Sequence, residues 1–103
     1  MTQFAVFPNP RRDGMAAYVV QIQTTRFDHT KGRVVMTLIR RTANAPPDHP
    51  ITPYLTVLDT PVFANPFDIA TVPVRSLGSP LMILPEADQG RIITAIDELI
   101  ARA

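Results

Sequence analysis

Cysteine is absent from the sequence. Disulfides, thiolate zinc sites, iron–sulfur clusters and cysteine nucleophiles are excluded with it. Histidine is almost as scarce: His29 and His49 are the two present, which leaves few options for a metal site built on imidazoles. Charged residues reach 18%, below the usual share of about 25%. No uninterrupted apolar run approaches the ~18 residues of a membrane span. The opening Met1-Thr2-Gln3-Phe4 lacks the basic-then-apolar pattern of a secretory signal. A reduced cytoplasmic setting, away from membranes, is the expectation. Glycine supplies no phosphate cradle, since Gly14, Gly32, Gly78 and Gly90 each stand alone.

What is present is 103 residues, one domain's worth, over positions 1–103. At 46% hydrophobic, the chain is too apolar for a disordered tail. A chain of this size buries roughly 60–70% of its unfolded surface, enough for one modest core. The net charge of +1 hides an asymmetry. Residues 1–47 hold seven Arg or Lys against two Asp, and residues 48–103 hold three Arg against seven Asp or Glu. This is not the overall balance of a non-specific nucleic-acid binder. Folding can mix the halves on any face, so mutual attraction within one fold is the simpler reading. The other is a basic and an acidic face that meet different partners.

Proline is abundant, with eleven residues, but none lies between Pro10 and Pro46 and none follows Pro85. Prolines so spread break helices and favour short strands and loops. Gln3 to Phe7 reads as a strand, and Pro8 to Gly14 as a turn cluster. Ala17 to Thr24 alternates with period two and reads as a second strand, antiparallel to the first. After a polar loop, Arg33 to Arg41 is apolar on both faces, the mark of a strand buried on both sides. Thr42 to Thr52 is a long loop. Pro53 to Leu58 and Pro61 to Ala64 flank Asp59-Thr60 as a tight hairpin. Asp68 to Val74 is a further short strand, then a turn at Ser76 to Pro80 and a short apolar stretch to Leu84. From Glu86 to Arg102, Ile92, Ile93, Ile96, Leu99 and Ile100 recur at helical spacing. Pro85 suits a helix start, with Glu86 and Asp88 at the positive end. The expected architecture is mostly β with one C-terminal helix.

Chemistry is sparse. Ser76 or Ser79 would need His29 or His49 and an aspartate to make a triad, and neither serine sits in a strand–turn–helix elbow. Asp28-His29 and Asp48-His49 are adjacent pairs whose side chains diverge on extended backbone, which makes poor bidentate ligands. No catalytic residue, metal or cofactor is expected. The doublets Arg11-Arg12 and Arg40-Arg41 read as solvated ends or as contacts to an anionic partner. The isoleucine stripe of the helix is core, with an arc wide enough to leave one edge for a second subunit.

The order of these segments resembles the CcdB family of toxins from bacterial toxin–antitoxin modules. The likeness starts at Gln3-Phe4-Ala5-Val6-Phe7. It continues through Tyr18 to Gln23, Asp28, Gly32-Arg33 and Val34 to Leu38. It is strongest over Asp68-Ile69-Ala70-Thr71-Val72-Pro73-Val74 with Leu77-Gly78, and it returns at Ile92 to Leu99. The resemblance implies a small SH3-like barrel of antiparallel strands with a C-terminal helix, similar also to the MazF toxins. It implies a homodimer that binds the DNA gyrase A subunit, traps its cleavage complex and is neutralised by a cognate antitoxin. It implies no sequence-specific DNA binding by the protein alone. The gyrase-binding residues carried over are Asp28, Asp97, Ile100, Ala101, Arg102 and Ala103. Family members end in an aromatic, a glycine and a final apolar residue, where this chain has Ala101, Arg102 and Ala103. Antitoxin binding is assigned to Arg11, Arg12, Arg40 and Arg41 on the basic half. Two alternatives accompany the reading. One is a folded, antitoxin-binding homologue that no longer poisons gyrase. The other is a MazF-like ribonuclease using Arg33, or Arg11-Arg12, with Asp28 and His29.

Overall fold

The fold was read from a computed structural model that describes residues 2–101, with the backbone alone at positions 12 and 13. Six strands precede one helix: β1 (Ala5–Asp13), β2 (Ala16–Gln21), β3 (Gly32–Arg40), β4 (Tyr54–Val57), β5 (Thr60–Pro73), β6 (Met82–Ile83) and α1 (Glu86–Ile100). Every pairing is antiparallel. The sheet order β4-β5-β3-β2-β1-β6 curls into a nearly closed barrel. The expected class, mostly β with one C-terminal helix, is what the chain adopts.

The barrel interior is built from Val6, Val20, Met36, Leu38, Leu55, Val57 and Val62, joined by Leu84 and Ile92. Ile92, with Ile96 packed against the same cluster, ties α1 to the barrel core. The helix has no side-chain N-cap and carries Gly90 in its second turn. Its stability therefore comes from packing and not from propensity. The opposite face of β1–β3 is also covered, because Ala5, Phe7, Val19 and Val35 cluster under Leu77. This two-sided burial is why β3 reads as apolar on both faces.

Three boundaries depart from the sequence expectation. Pro8 to Gly14 is not a turn cluster: β1 runs on to Asp13 and only Gly14-Met15 turn. Pro8 and Pro10 are accommodated because the β1–β2 register is irregular between Pro8 and Asp13 and β6 pairs only with Ala5 and Val6. Few ladder N–H groups are then needed from that stretch. Pro61 to Ala64 and Asp68 to Val74 are not two strands but parts of one, β5. Met36 faces Ile69 while the next residue, Thr37, faces Asn65, so Pro66, Phe67 and Asp68 form an outsized bulge. Pro66 sits there without costing a ladder bond. Asp68 Oδ2 accepts from the Thr37 hydroxyl at 2.7 Å, which secures the bulge.

The third departure is the β4–β5 hairpin, which turns at Leu58-Asp59, one residue earlier than expected. Val57 pairs with Thr60, and both turn residues have positive φ, 46° at Leu58 and 69° at Asp59. That is the two-residue geometry that asparagine or glycine prefers. A branched leucine is strained there, and at 57% exposure it gains little from packing. Leu58→Asn is expected to stabilise the protein by about 0.5–1 kcal/mol, read as a higher midpoint in urea. An unchanged or lower midpoint would show that the leucine's contacts outweigh its backbone strain.

Candidate functional site

The resemblance points to two places, the loop after β2 and the end of α1. The loop opens with a 3-10 turn at Thr25–Phe27 and is fastened by Gln21 and Arg33 of the sheet and by Gln23, just past the end of β2. Arg33 is 5% exposed, and its guanidinium is spread over main-chain carbonyls. Nη1 donates to Thr30 O at 2.6 Å and Gly32 O at 2.9 Å, and Nη2 donates to Asp28 O at 2.5 Å. Gln21, fully buried, donates from Nε2 to Asp28 Oδ1 at 2.8 Å. Gln23 donates to Phe27 O at 2.9 Å and accepts from Val34 N–H at 3.1 Å.

Asp28 therefore turns its carboxylate inward. Arg33 Nε lies 3.6 Å from Asp28 Oδ1, an ion pair without a hydrogen bond. The loop exposes Arg26, Phe27, His29 and Lys31 to solvent, with the Arg26 Cζ 5.3 Å from the Phe27 ring centre. Gly32 completes the clamp. A side chain there would place its Cβ 2.8 Å from Thr71 Cγ2, so β3 and β5 approach closely where Arg33 must reach under the loop.

At the other place, Asp97 and Ile100 are exposed on the last turn of α1, and Ala101 follows in extended backbone. Arg102 and Ala103 lie outside the described residues. Ile93 and Leu99 are partly uncovered as well, and Ile100 is 69% exposed. The last turn carries Asp97 and Glu98 and no base, which opposes the negative C-terminal end of the helix dipole. Among the described residues, no hydrogen bond joins Asp28 to this end of α1; its bonds go to Gln21, Arg33 and Thr25.

The basic doublets meet different fates. Arg11 is exposed, and its main-chain N–H is held by Asn9 Oδ1 at 3.0 Å. The Arg12 side chain lies outside the described part. Arg40 is exposed beside the Tyr18 ring, its Cζ 5.8 Å from the centroid. Arg41 lies flatter on Tyr54, at 4.2 Å, and Tyr54 in turn donates its hydroxyl to Pro46 O at 2.6 Å. Arg41 thus pins the long loop, and among the described side chains of the two doublets Arg11 and Arg40 are left to solvent. No group of three or more His, Asp or Glu able to hold a metal occurs among the described residues.

With this geometry in place, the sequence profile of the CcdB protein matches residues 3–101. The chain belongs to the CcdB family. No curated protein matches the sequence. Among solved structures, it is similar to an endoribonuclease in complex with its cognate antitoxin, from a mycobacterial species. The two share 20% identity over 100% of this chain and 97% of the other, with a TM-score of 0.75. At that identity, the likeness is one of fold. The CcdB match spans both candidate places, the loop that carries Asp28 and the end of α1 up to Ala101.

Sequence reasoning did not find Gln21, Gln23 or Tyr54, the side chains that hold these places in shape. Gln21 had a signal. It shares a face with Val19 in a strand whose other members are apolar, and a glutamine in that register must find an internal partner.

Proposed function

We propose that this protein is the toxin of a type II toxin–antitoxin module, acting by binding the A subunit of DNA gyrase and not by catalysis. The observation that carries the reading is the CcdB match over residues 3–101. The end of α1 supports it. Leu99 and Ile100 are left uncovered there, and two acids sit against the helix dipole. Local rules are broken in this way where binding and not stability has set the residues. Induced expression in bacteria tests the toxin reading. Growth arrest that is relieved by the cognate antitoxin is expected, and unimpaired growth would refute it.

The antitoxin is expected to be short, and acidic or disordered over its toxin-binding half. Arg11 and Arg40 are the exposed cations that would meet it, and a segment that folds on binding can wrap a large surface. Affinity should fall several-fold between low and high salt as the charges are screened. Salt-independent binding would remove the electrostatic part of this reading. A homodimer is part of the same proposal, since Ile83 and Ile93 are too exposed for a small barrel standing alone. Light scattering at micromolar protein should report twice the chain mass.

A ribonuclease is the second reading, favoured by the likeness to an endoribonuclease fold. Of the residues named for it, Arg11 and His29 are exposed, whereas Arg33 and Asp28 are engaged within the loop. Arg33 has both terminal nitrogens committed to carbonyls, and Asp28 is tied to Gln21. Neither can clamp a phosphate or take a proton from a ribose without dismantling the loop. Cleavage of total RNA by the purified protein would favour this reading over gyrase binding.

A further inference from the structure

Between α1 and the Asp48–Pro53 segment lies an open surface groove of about 470 Å³. That volume lies within the range of small-molecule sites. Four polar side chains line it, Asp48, His49, Arg91 and Thr94, and the first three are each held by one bond to the main chain. Asp48 Oδ1 accepts from Tyr54 N–H at 3.0 Å, which leaves Oδ2. Arg91 Nη1 donates to Tyr54 O at 2.8 Å, which leaves Nε and Nη2. His49 Nδ1 accepts from Ile51 N–H at 3.2 Å, so the neutral ring carries its proton on Nε2. Tyr54 is itself held by Arg41 and Pro46. One bond apiece orients these exposed side chains, and such preorganisation reduces the cost of binding.

The free groups define the ligand. Arg91 and His49 Nε2 offer several N–H donors, and Asp48 offers one acceptor oxygen. Pro50, Pro53 and the small residues Ala87 and Gly90 form rigid walls between them. We propose that this groove binds a small metabolite that carries an oxyanion, phosphate or carboxylate, next to a hydroxyl. The oxyanion takes the Arg91 and His49 donors, the hydroxyl donates to Asp48 Oδ2, and the carbon body lies on the prolines. None of the residues that line this groove is assigned to gyrase or antitoxin, and Arg41 reaches it only through Tyr54, so the proposal does not depend on the protein being a toxin.

Gly90 supplies the test. A Cβ added there meets nothing within 4 Å, and any other non-proline residue improves the helix. Gly90→Leu should therefore fold, melt no lower than the parent and fill the groove. The parent is titrated with ribose 5-phosphate and, separately, with malate, while backbone amide shifts are followed by NMR. Saturable shifts at Gly90 and Ile51 are expected, with a dissociation constant below about 1 mM, and they should vanish in Gly90→Leu. Arg91→Met should weaken binding roughly tenfold or more, as expected for loss of a charged hydrogen-bond donor. A response to ribose 5-phosphate alone assigns the oxyanion as phosphate, and a response to malate alone assigns it as carboxylate. The proposal is overturned if neither probe shifts these amides. It is overturned equally if Gly90→Leu binds as the parent does, or if the shifts map to Arg11 and Arg40.

Discussion

Arg33→Met is expected to lower folding stability by about 3 kcal/mol. For a chain of this size, that is a fall of roughly 12–24 °C in melting temperature. The argument rests on what is left behind. Arg33 is almost fully buried and donates to three carbonyls, of Asp28, Thr30 and Gly32. Methionine fills much of the arginine stem's volume but donates nothing. The carbonyls and the Asp28 carboxylate then lose their partner in a place that water reaches poorly. Arg33→Lys should recover little, because one ammonium cannot reproduce a planar fork aimed at carbonyls on both sides. Asp28→Asn should cost far less, about 1 kcal/mol or under. Its Oδ1 can still accept from Gln21, and the 3.6 Å contact with Arg33 Nε is too long for a hydrogen bond. Equilibrium unfolding in urea checks the order. If Asp28→Asn proved as damaging as Arg33→Met, the ion pair and not the carbonyl brace would be holding the loop.

How Arg33 was read from sequence shows which parts were legible. Alternation in Ala17 to Thr24 and the two-faced apolar run after Arg33 located β2 and β3, because burial of a strand writes itself directly into period two. Helical spacing of isoleucines located α1 for the same reason. Hairpin and bulge geometry was not legible. Asp59-Thr60 has better turn chemistry than Leu58-Asp59, and only the pairing of Val57 with Thr60 forces the leucine into positive φ. Likewise Pro66 looks like a break until the bulge in β5 gives it a place. At the candidate site, the residue types were legible but their orientation was not. Arg33 and Asp28 suggested phosphate and proton chemistry, yet their partners are main-chain carbonyls and a glutamine. A sequence shows that a charge is present; whether it faces water or a carbonyl is decided by the fold around it.

Orientation matters equally for the largest expected effect on binding. Affinity for the gyrase A subunit is expected to be roughly 30- to 150-fold weaker than that of a family member with an aromatic residue in place of Ala101. Ala101 leaves the helix in extended backbone and is exposed, beside an Ile100 that is 69% exposed. Under the proposed gyrase reading position 101 is an exposed contact, but a methyl group brings little apolar area to it. An aromatic side chain buried there would add on the order of 2–3 kcal/mol, which sets the fold-change. Arg102 stands where the family has glycine, and its charge must be desolvated or paired on binding. The measurement is a gyrase pull-down with a DNA-cleavage assay, using gyrase from a standard laboratory bacterium and from the native host. Ala101→Trp combined with Arg102→Gly should increase cleavage complexes toward the level of the aromatic-tailed proteins. Cleavage complexes already that abundant with the unaltered protein would sink the expectation. Loss of activity on Arg102→Ala would sink it differently, by making the arginine a contact for an acidic residue of the host enzyme. In that case the exposed Ile100 and the paired charge would together supply what the missing ring does not.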